Sequence, residues 1–301
     1  MMKIFAAPLQ GYTDKEFRNA HFSQIGGIEE YYTPFLRLEQ GEIREKELSD
    51  VDKKRNLSPA TVPQILVKNG EELAFFAEKL WNFAGWERMD INFGCPHVPV
   101  VKRGYGAGVL EEKNAVKSVL DALVKFPHIH FSVKCRLPEK DEKILQIFQE
   151  YALEKIVLHP RKASLQYKGT ADKEAFARFL AYGGKNPVVY NGDIHTLEDV
   201  PENCEMLMLG RGLLRDPLLA RKIAGEKFTI EEENLLYRNF HSTYVKNILS
   251  GTKKAEEKLP KLKLFWEYFL LHKEKKIRKK ILKSRSFEEY KNYTEELFAD
   301  F

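Results

Sequence analysis

Short apolar runs alternate with longer amphipathic segments along the first two thirds of the chain. The runs are rich in β-branched and aromatic residues, and each ends in glycine, proline or a polar cluster, which is typical of buried strands. Eight such runs occupy residues 4–7, 28–33, 61–66, 88–93, 130–135, 155–158, 187–190 and 205–209. Between them, apolar side chains recur at helical spacing over residues 71–83, 113–125, 141–151 and 173–182. The pattern predicts strands and helices in alternation.

Such an alternation predicts a parallel sheet whose strands are joined by crossover helices. Eight β/α units before residue 230 favour an α/β fold of the TIM (β/α)8 barrel type. The structural alternative is a doubly wound open sheet. However, no G-x-G-x-x-G motif follows the first run, which counts against the dinucleotide-binding form of that fold.

The alternation stops near Ile230, and the remaining chain reads as helices. We therefore predict a catalytic barrel domain over residues 1–230 and a small helical domain over residues 231–301. One helical face of the second domain is expected to carry its apolar side chains and to pack inward. These side chains are Leu262, Phe265, Trp266, Phe269 and Leu270.

Positive charge is concentrated in this helical segment. The whole chain has a formal net charge of +5, whereas residues 253–285 alone contain thirteen Lys and Arg against four Glu. A local excess of this size suits a polyanionic partner such as a nucleic acid. A solvated helix face is the simpler interpretation.

Other features narrow the class of protein. The N-terminus reaches Pro8 and polar residues too early for a signal peptide, and no apolar run approaches membrane-spanning length, so we expect a cytoplasmic protein without membrane contact. Cys95, Cys135 and Cys204 are far apart and form no C-x-x-C pair. We expect reduced thiols and no metal site.

Candidate chemistry lies where the predicted strands end, because the loops that follow barrel strands form the active-site face of this fold. The fourth run leads directly into Asn92-Phe93-Gly94-Cys95-Pro96. A thiol held at a strand end can exchange a proton with little reorganisation. The alternative is that Cys95 is a small apolar residue.

The other strand ends are also polar. Glycine-rich loops at Asn191-Gly192-Asp193 and Gly210-Arg211-Gly212 offer N–H groups to a phosphate, which predicts a phosphorylated cofactor. Lys134 at the end of the fifth run could stabilise negative charge on a reduced flavin, or it could form an internal ion pair. For His159 the simpler interpretation is a hydrogen-bonded core residue, and for Arg161 it is a surface salt bridge.

Taken in order, these strand-end motifs resemble the tRNA-dihydrouridine synthases, flavoenzymes that reduce a uridine in tRNA. The similarity covers residues 4–220. The basic helical segment resembles the C-terminal tRNA-binding domain of that family. The matching segments are 7–14, Gln64, 92–96, 104–110, 133–136, 159–161, 166–172, 191–194 and 210–212.

The resemblance implies specific partners and roles. The cofactor is expected to be FMN reduced by NADPH or NADH, and Cys95 is expected to protonate C5 of uracil after hydride reaches C6. The partner is tRNA, bound by one subunit acting as a monomer. Residues implied in FMN binding are Pro8, Leu9, Gln10, Gln64, Lys134, His159, Asn191, Gly192, Asp193, Gly210 and Arg211. Residues expected to contact the substrate are Asn92, Arg136, Arg161 and Tyr167, with Tyr105 as a second candidate for stacking on the base.

Several positions depart from the family pattern. Leu9 stands where Met is common, Tyr12 where a small aliphatic residue is usual, and Lys173 where Trp often follows. The loop over residues 97–103 is also individual, and we expect it to affect which uridine enters. Two alternatives stay open: an FMN barrel of the dihydroorotate dehydrogenase type, and an RNA-binding barrel without catalysis.

Overall fold

The computed structural model describes residues 2–251, 254–271 and 275–299. Its strands are β1 Lys3–Ala6, β2 Glu30–Tyr32, β3 Leu38–Glu39, β4 Glu42–Ile43, β5 Thr61–Val62, β6 Gln64–Ile65, β7 Arg88–Phe93, β8 His130–Leu137, β9 Ile156–Lys162, β10 Val188–Tyr190 and β11 Met206–Leu209. Its α-helices are α1 Lys15–Gln24, α2 Glu45–Asp50, α3 Gly70–Ala84, α4 Val98–Val101, α5 Lys113–Asp121, α6 Lys173–Ala181, α7 Arg211–Arg215, α8 Leu219–Ile223, α9 Ile230–Leu249, α10 Ala255–Phe265, α11 Lys275–Lys283 and α12 Phe287–Ala299. Short 3₁₀ helices cover Lys53–Arg55, Gly106–Glu111, Ala122–Lys125, Glu142–Glu150, Ala163–Leu165 and Leu197–Asp199.

Parallel strands form a barrel that closes at Pro63. The strand order is β5-β2-β1-β11-β10-β9-β8-β7-β6, and the two end segments, β5 and β6, are halves of the predicted third strand. Pro63 separates them because it has no N–H to donate, while its carbonyl accepts from the Asp90 N–H at 2.9 Å. One half pairs with β2 and the other with β7. The two halves together act as one strand, so the prediction of an eight-stranded barrel is confirmed.

Most helix predictions are also confirmed, with α3 as a clear case. The Asn69 side chain caps its first turn by accepting from the Glu72 N–H at 2.9 Å, and Gly85 ends it in the left-handed region at φ 60°. A helix also forms within the predicted stretch 141–151, but Glu142–Glu150 is a 3₁₀ helix and not an α-helix. Leu145 and Phe148 are both buried, and a spacing of three residues places them on one side of the tighter turn.

The C-terminal helices pack directly against the barrel. Helix α9 starts with a capping box between Thr229 and Glu232, and its Phe240 meets Phe17 of α1 with ring centroids 5.6 Å apart. Buried side chains of the barrel and of helices α9–α12 form one continuous hydrophobic cluster. The C-terminal helices therefore depend on the barrel surface for much of their burial.

The five apolar side chains predicted to pack inward in this region are buried, but they do not lie on one continuous helix. Leu262, Phe265, Trp266, Phe269 and Leu270 are all buried. However, α10 ends at Phe265, and Leu270 has a positive φ of 50° because the chain turns back to donate its N–H to the Arg215 carbonyl at 3.1 Å.

The structure describes most, but not all, of the basic segment. Lys253, Lys273 and Glu274 of the basic segment lie outside the described residues. Among the described helices, none is both long enough and apolar enough to cross a membrane.

Candidate active site

A large cleft opens at the carboxyl ends of the barrel strands, bounded on one side by α10. Its volume is about 1390 Å³, whereas single small-molecule sites usually occupy roughly 300–1,000 Å³. It has room for more than one ligand. The predicted site residues that line it are Pro8, Leu9, Gln10, Asn92, Cys95, Lys134, Arg136, His159, Tyr167, Asn191, Gly192, Asp193, Gly210 and Arg211.

Cys95 is held at the cleft by an amide cap. The side-chain Oδ1 of Asn92 accepts from the N–H groups of Gly94 at 3.0 Å and Cys95 at 2.8 Å. Asparagine suits this position because its short side chain can accept from backbone groups two and three residues ahead. The thiol loop is therefore tied to the rigid end of β7.

Gly106 closes the same loop from the other side. Its φ is +58°, and a Cβ there would lie 2.8 Å from the Cβ and from the carbonyl oxygen of Cys95. The neighbouring Ala107 N–H donates to the Cys95 carbonyl at 3.1 Å. Only glycine fits this approach without displacing the cysteine.

The thiol is protonated at neutral pH. Burial raises the pKa of Cys95, while an N–H from His97 and the cations Arg136 and Lys134 oppose the rise. A thiol with this balance is a proton donor and a poor nucleophile.

A buried polar chain lies behind the asparagine. Gln64 donates to the Asp90 carboxylate at 2.6 Å and accepts from the Asn92 amide at 2.7 Å, and Ser132 donates to the other Asp90 oxygen at 2.6 Å. Burial raises the pKa of Asp90 to about 6. Gln64 was predicted to contact the cofactor, but it does not line the cleft; Asp90 was not predicted, although it begins the cysteine motif.

Lys134 is a half-buried cation without a carboxylate in contact. Its ammonium donates to the Asn191 side chain at 2.7 Å, and no ion pair joins it to any residue that the structure describes. Burial, reinforced by Arg136, lowers the pKa of Lys134 to about 8. Such a group favours an anionic ligand in contact with it.

Arg136 and His159 lie side by side in the cleft and differ in charge. Burial lowers the pKa of Arg136 to about 10, so it keeps its charge at neutral pH. Burial and the neighbouring cations hold the pKa of His159 well below its ordinary value. Its ring is therefore neutral, and its Nε2 lies 3.4 Å from Arg161.

Arg161 forms a buried ion pair, not the surface salt bridge of the simpler interpretation. Its side chain is fully buried and contacts the Asp193 carboxylate and the Gly169 carbonyl. Asp193 also accepts from Arg211 at 2.9 Å and from the Ala171 N–H at 3.0 Å. Arg161 is absent from the cleft lining, and it orders the loop that carries Asp193.

The two glycine loops present unpaired backbone donors. The N–H groups of Gly192, Gly210 and Arg211 donate to no group in the described part of the chain, although all three residues line the cleft. Free N–H groups of glycine loops beside an arginine are suited to binding a phosphate.

Tyr167 lies at the rim of the cleft and is 49% exposed. The Arg211 guanidinium lies 4.4 Å and the Arg136 guanidinium 5.4 Å from the centroid of its ring. The other candidate for stacking, Tyr105, donates to Glu72 at 2.6 Å and is absent from the cleft lining.

Comparison with known proteins agrees with this site. The tRNA-dihydrouridine(16) synthase of Neisseria meningitidis serogroup B is 29% identical over 239 residues, covering 73% of this chain and 71% of the relative. The enzyme of the same name from Aquipseudomonas alcaligenes is 31% identical over 258 residues, covering 78% and 79%. The tRNA-dihydrouridine synthase B of Pasteurella multocida is 26% identical over 239 residues, covering 73% and 68%.

A family model described as dihydrouridine synthase matches residues 5–300, which include both the barrel and the C-terminal helices. The match therefore spans every strand-end motif and the basic segment together. The chain belongs to the dihydrouridine synthase family.

Proposed function

We propose that this protein reduces the C5–C6 double bond of a uridine in tRNA, with FMN as cofactor and NADPH or NADH as reductant. The observation that carries the proposal is a protonated thiol, Cys95, in the same cleft as the half-buried cation Lys134, which contacts no carboxylate. Family membership supports the reaction, and the names of the relatives support tRNA as substrate.

The residues present fit FMN. The phosphate would be held by the free N–H groups of Gly192, Gly210 and Arg211, and the ring would lie toward Lys134. Lys134 favours a ligand that is or becomes anionic, as a flavin does when reduced. Pro8, Leu9, Gln10, His159, Asn191 and Asp193 line the same cleft and complete the proposed cofactor site.

Bound FMN would supply the hydride that C6 of the uracil accepts. Cys95 then donates its proton to C5, and the thiolate is stabilised by the nearby Arg136 and Lys134. Solvent returns the proton to sulfur before the next turnover. Asn92 contributes by holding the cysteine loop, and we propose that Arg136 and Tyr167, which line the cleft, contact the base or its sugar.

The RNA is proposed to lie along α10 and α11. Four lysines of α11 are exposed and form what we call the α11 lysine stripe: Lys275, Lys276, Lys279 and Lys283. The stripe spans about 100° of the helix surface, opposite the buried Ile277, Arg278 and Ile281. No acidic side chain among the described residues pairs with it, so its charges are available for phosphates. We propose a monomer that acts in the cytoplasm, where tRNA is found.

Nucleoside analysis of tRNA from a deletion strain tests the proposal. We expect one dihydrouridine position to be lost and to return with the wild-type gene but not with Cys95→Ala; position 16 is the first to examine, given the relatives' names. Unchanged dihydrouridine at every position, together with no activity of the flavin-loaded protein on unmodified tRNA, would overturn it. Reduction of a free pyrimidine would instead favour the dihydroorotate dehydrogenase type, and a protein that binds tRNA but no flavin would favour the RNA-binding alternative.

A further inference from the structure

Two tyrosines meet where the barrel touches the C-terminal helices. Tyr12 lies in the loop after β1 and Tyr268 in the turn after α10, and their rings form an edge-to-face pair with centroids 5.2 Å apart. Both side chains are half-buried and line the cleft. In an edge-to-face pair, the ring that contributes its edge keeps both faces clear of its partner.

The surroundings of this pair are suited to a nucleotide. Lys258 belongs to α10, the helix that precedes Tyr268, and also lines the cleft; no described carboxylate pairs with it. Burial raises the pKa of Tyr268, and the charge of Arg211 opposes the rise. Arg211 also contacts Tyr167, so the tyrosine pair lies toward the proposed phosphate end. Aromatic rings beside unpaired cations are the recurring means of holding single-stranded RNA.

The cleft extends well beyond the catalytic cysteine. Its volume of about 1390 Å³ leaves space beside a flavin and one uracil, and the tyrosine pair forms part of the wall made by α10. A uridine drawn out of folded RNA brings its neighbouring nucleotides to the mouth of the cleft.

We propose that Tyr12 and Tyr268 form a stacking platform for the base next to the target uridine, with Lys258 contacting the adjoining phosphate. This inference rests on the proposed function and names a second nucleotide subsite within it.

A structural role is the competing explanation for Tyr12. Its hydroxyl donates to Glu267 at 2.7 Å, and the adjacent Lys261 pairs with Asp14 at 2.6 Å, so this contact also joins the helices to the barrel. Phenylalanine and leucine variants separate the two roles, because Tyr12→Phe removes only the hydrogen bond whereas Tyr12→Leu also removes the stacking ring.

Binding of a tRNA transcript is measured for Tyr12→Phe, Tyr12→Leu, Tyr268→Phe and Tyr268→Leu. We expect both phenylalanine variants to bind within about twofold of wild type and both leucine variants to bind ~5- to 150-fold more weakly, the cost of losing one stacked base. Flavin content and the rate of flavin reduction by NADPH should stay unchanged. Equal losses in Tyr12→Phe and Tyr12→Leu, or none in either leucine variant, would overturn the platform.

Matched controls lie at the opposite end of the barrel. Tyr182 and Lys185 are exposed in the segment that precedes β10, so Tyr182→Leu and Lys185→Ala should bind tRNA as wild type does. Lys258→Ala should reduce the salt dependence of binding by about one counterion, and this test does not depend on whether the tyrosine variants fold. A Lys258→Ala protein with wild-type salt dependence would contradict the phosphate contact.

An abasic substrate makes the test specific to a neighbouring base. Two transcripts, each lacking the base on one side of the target uridine, are bound to wild type and to Tyr268→Leu. We expect wild type to bind one of them more weakly and Tyr268→Leu to bind that transcript no worse than the intact one, since the two changes remove the same contact. If wild type binds both as tightly as intact tRNA, the subsite is refuted; if wild type also fails to reduce any uridine, the proposed function fails with it.

Discussion

The two ends of the barrel both bury charge, but they balance it differently. At the amino ends of the strands, Glu30 accepts from Lys155 at 2.6 Å and from Arg88 at 2.6 Å, and Glu154 pairs with the same two cations. Every charge in this network has an opposite partner in contact. At the carboxyl ends, Arg161 and Arg211 share Asp193, but Lys134 and Arg136 contact no carboxylate in the described structure.

This difference separates a structural network from a binding site. A buried charge without a partner costs stability, so its persistence in one end of a barrel indicates a ligand that completes it. The paired network at the other end needs no ligand and closes the barrel floor. Unpaired charge locates the working end of this molecule as clearly as the cysteine does.

The largest test of this contrast removes the proton donor from the working end. Cys95→Ala should lower the rate of uridine reduction by ~10²- to 10⁴-fold, the usual contribution of a positioned acid. Flavin content and tRNA affinity should remain, because the cysteine loop is held by backbone contacts to Asn92 and Ala107. Single-turnover assays with pre-reduced protein measure the step directly.

Cys95→Ser is the matched control, since it keeps the shape of the side chain and replaces the thiol with a far weaker acid. It should be nearly as slow as the alanine variant. Turnover within tenfold of wild type in Cys95→Ala would mean that another group delivers the proton.

The next test breaks the paired end. Glu30→Gln removes the carboxylate between Lys155 and Arg88 and should lower the free energy of unfolding by about 3 kcal/mol, because it leaves buried charge undercompensated. Chemical denaturation measures the loss. The variant that remains folded should bind flavin and reduce uridine at the wild-type rate.

Lys134→Met is the counterpart at the unpaired end. Methionine fills similar space without the charge, so the free energy of unfolding of the flavin-free protein should not fall, whereas flavin content should drop sharply. A stability loss as large as that of Glu30→Gln would show that groups of the protein itself compensate the charge of Lys134. The contrast between the two ends of the barrel would then be wrong.

A third test addresses Asp90, which lies between the two ends. Burial raises the folded pKa of Asp90 to about 6 from 3.8, so between pH 4 and 6 the folded state binds a proton that the unfolded state does not. The contribution of Asp90 to stability therefore decreases as pH rises through this window. Relative to wild type, Asp90→Asn should gain about 2–3 kcal/mol between pH 4 and pH 7, measured by denaturation at each pH. A pH-independent difference between the two proteins would show that Asp90 is ionised throughout.

The fold was predictable because the barrel strands have a strong signature. Residues 88–93 form β7 as predicted, and most other runs differ from the observed strands by one or two residues. The interruption at Pro63 was not predicted, although proline in a central strand breaks its ladder. The 3₁₀ helix over residues 142–150 was missed because an amphipathic pattern does not distinguish a three-residue turn from an α-turn.

The site residues at the strand ends were predictable from the sequence. The polar residues behind the cleft and the residues near α10 were not. Gln64 reads from the sequence as a cofactor ligand, yet its amide is engaged by Asp90 and Asn92, a pairing that depends on the register of β6 with β7. Tyr268 and Lys258 reach the cleft only because α10 packs against the barrel, so no local motif marks them.

The smallest test concerns the α11 lysine stripe, which extends the unpaired character of the working end onto the helices. Each of Lys276→Ala and Lys279→Ala should weaken tRNA binding modestly and reduce the slope of log affinity against log salt by about 1. Lys185→Ala, an equally exposed lysine at the opposite end, should leave the slope unchanged. Filter binding over a range of salt concentrations gives the slopes. If Lys185→Ala shifts the slope as much as the stripe variants do, tRNA is attracted by net charge alone. The contrast in charge between the two ends of the barrel would then not extend beyond the cleft to the helices.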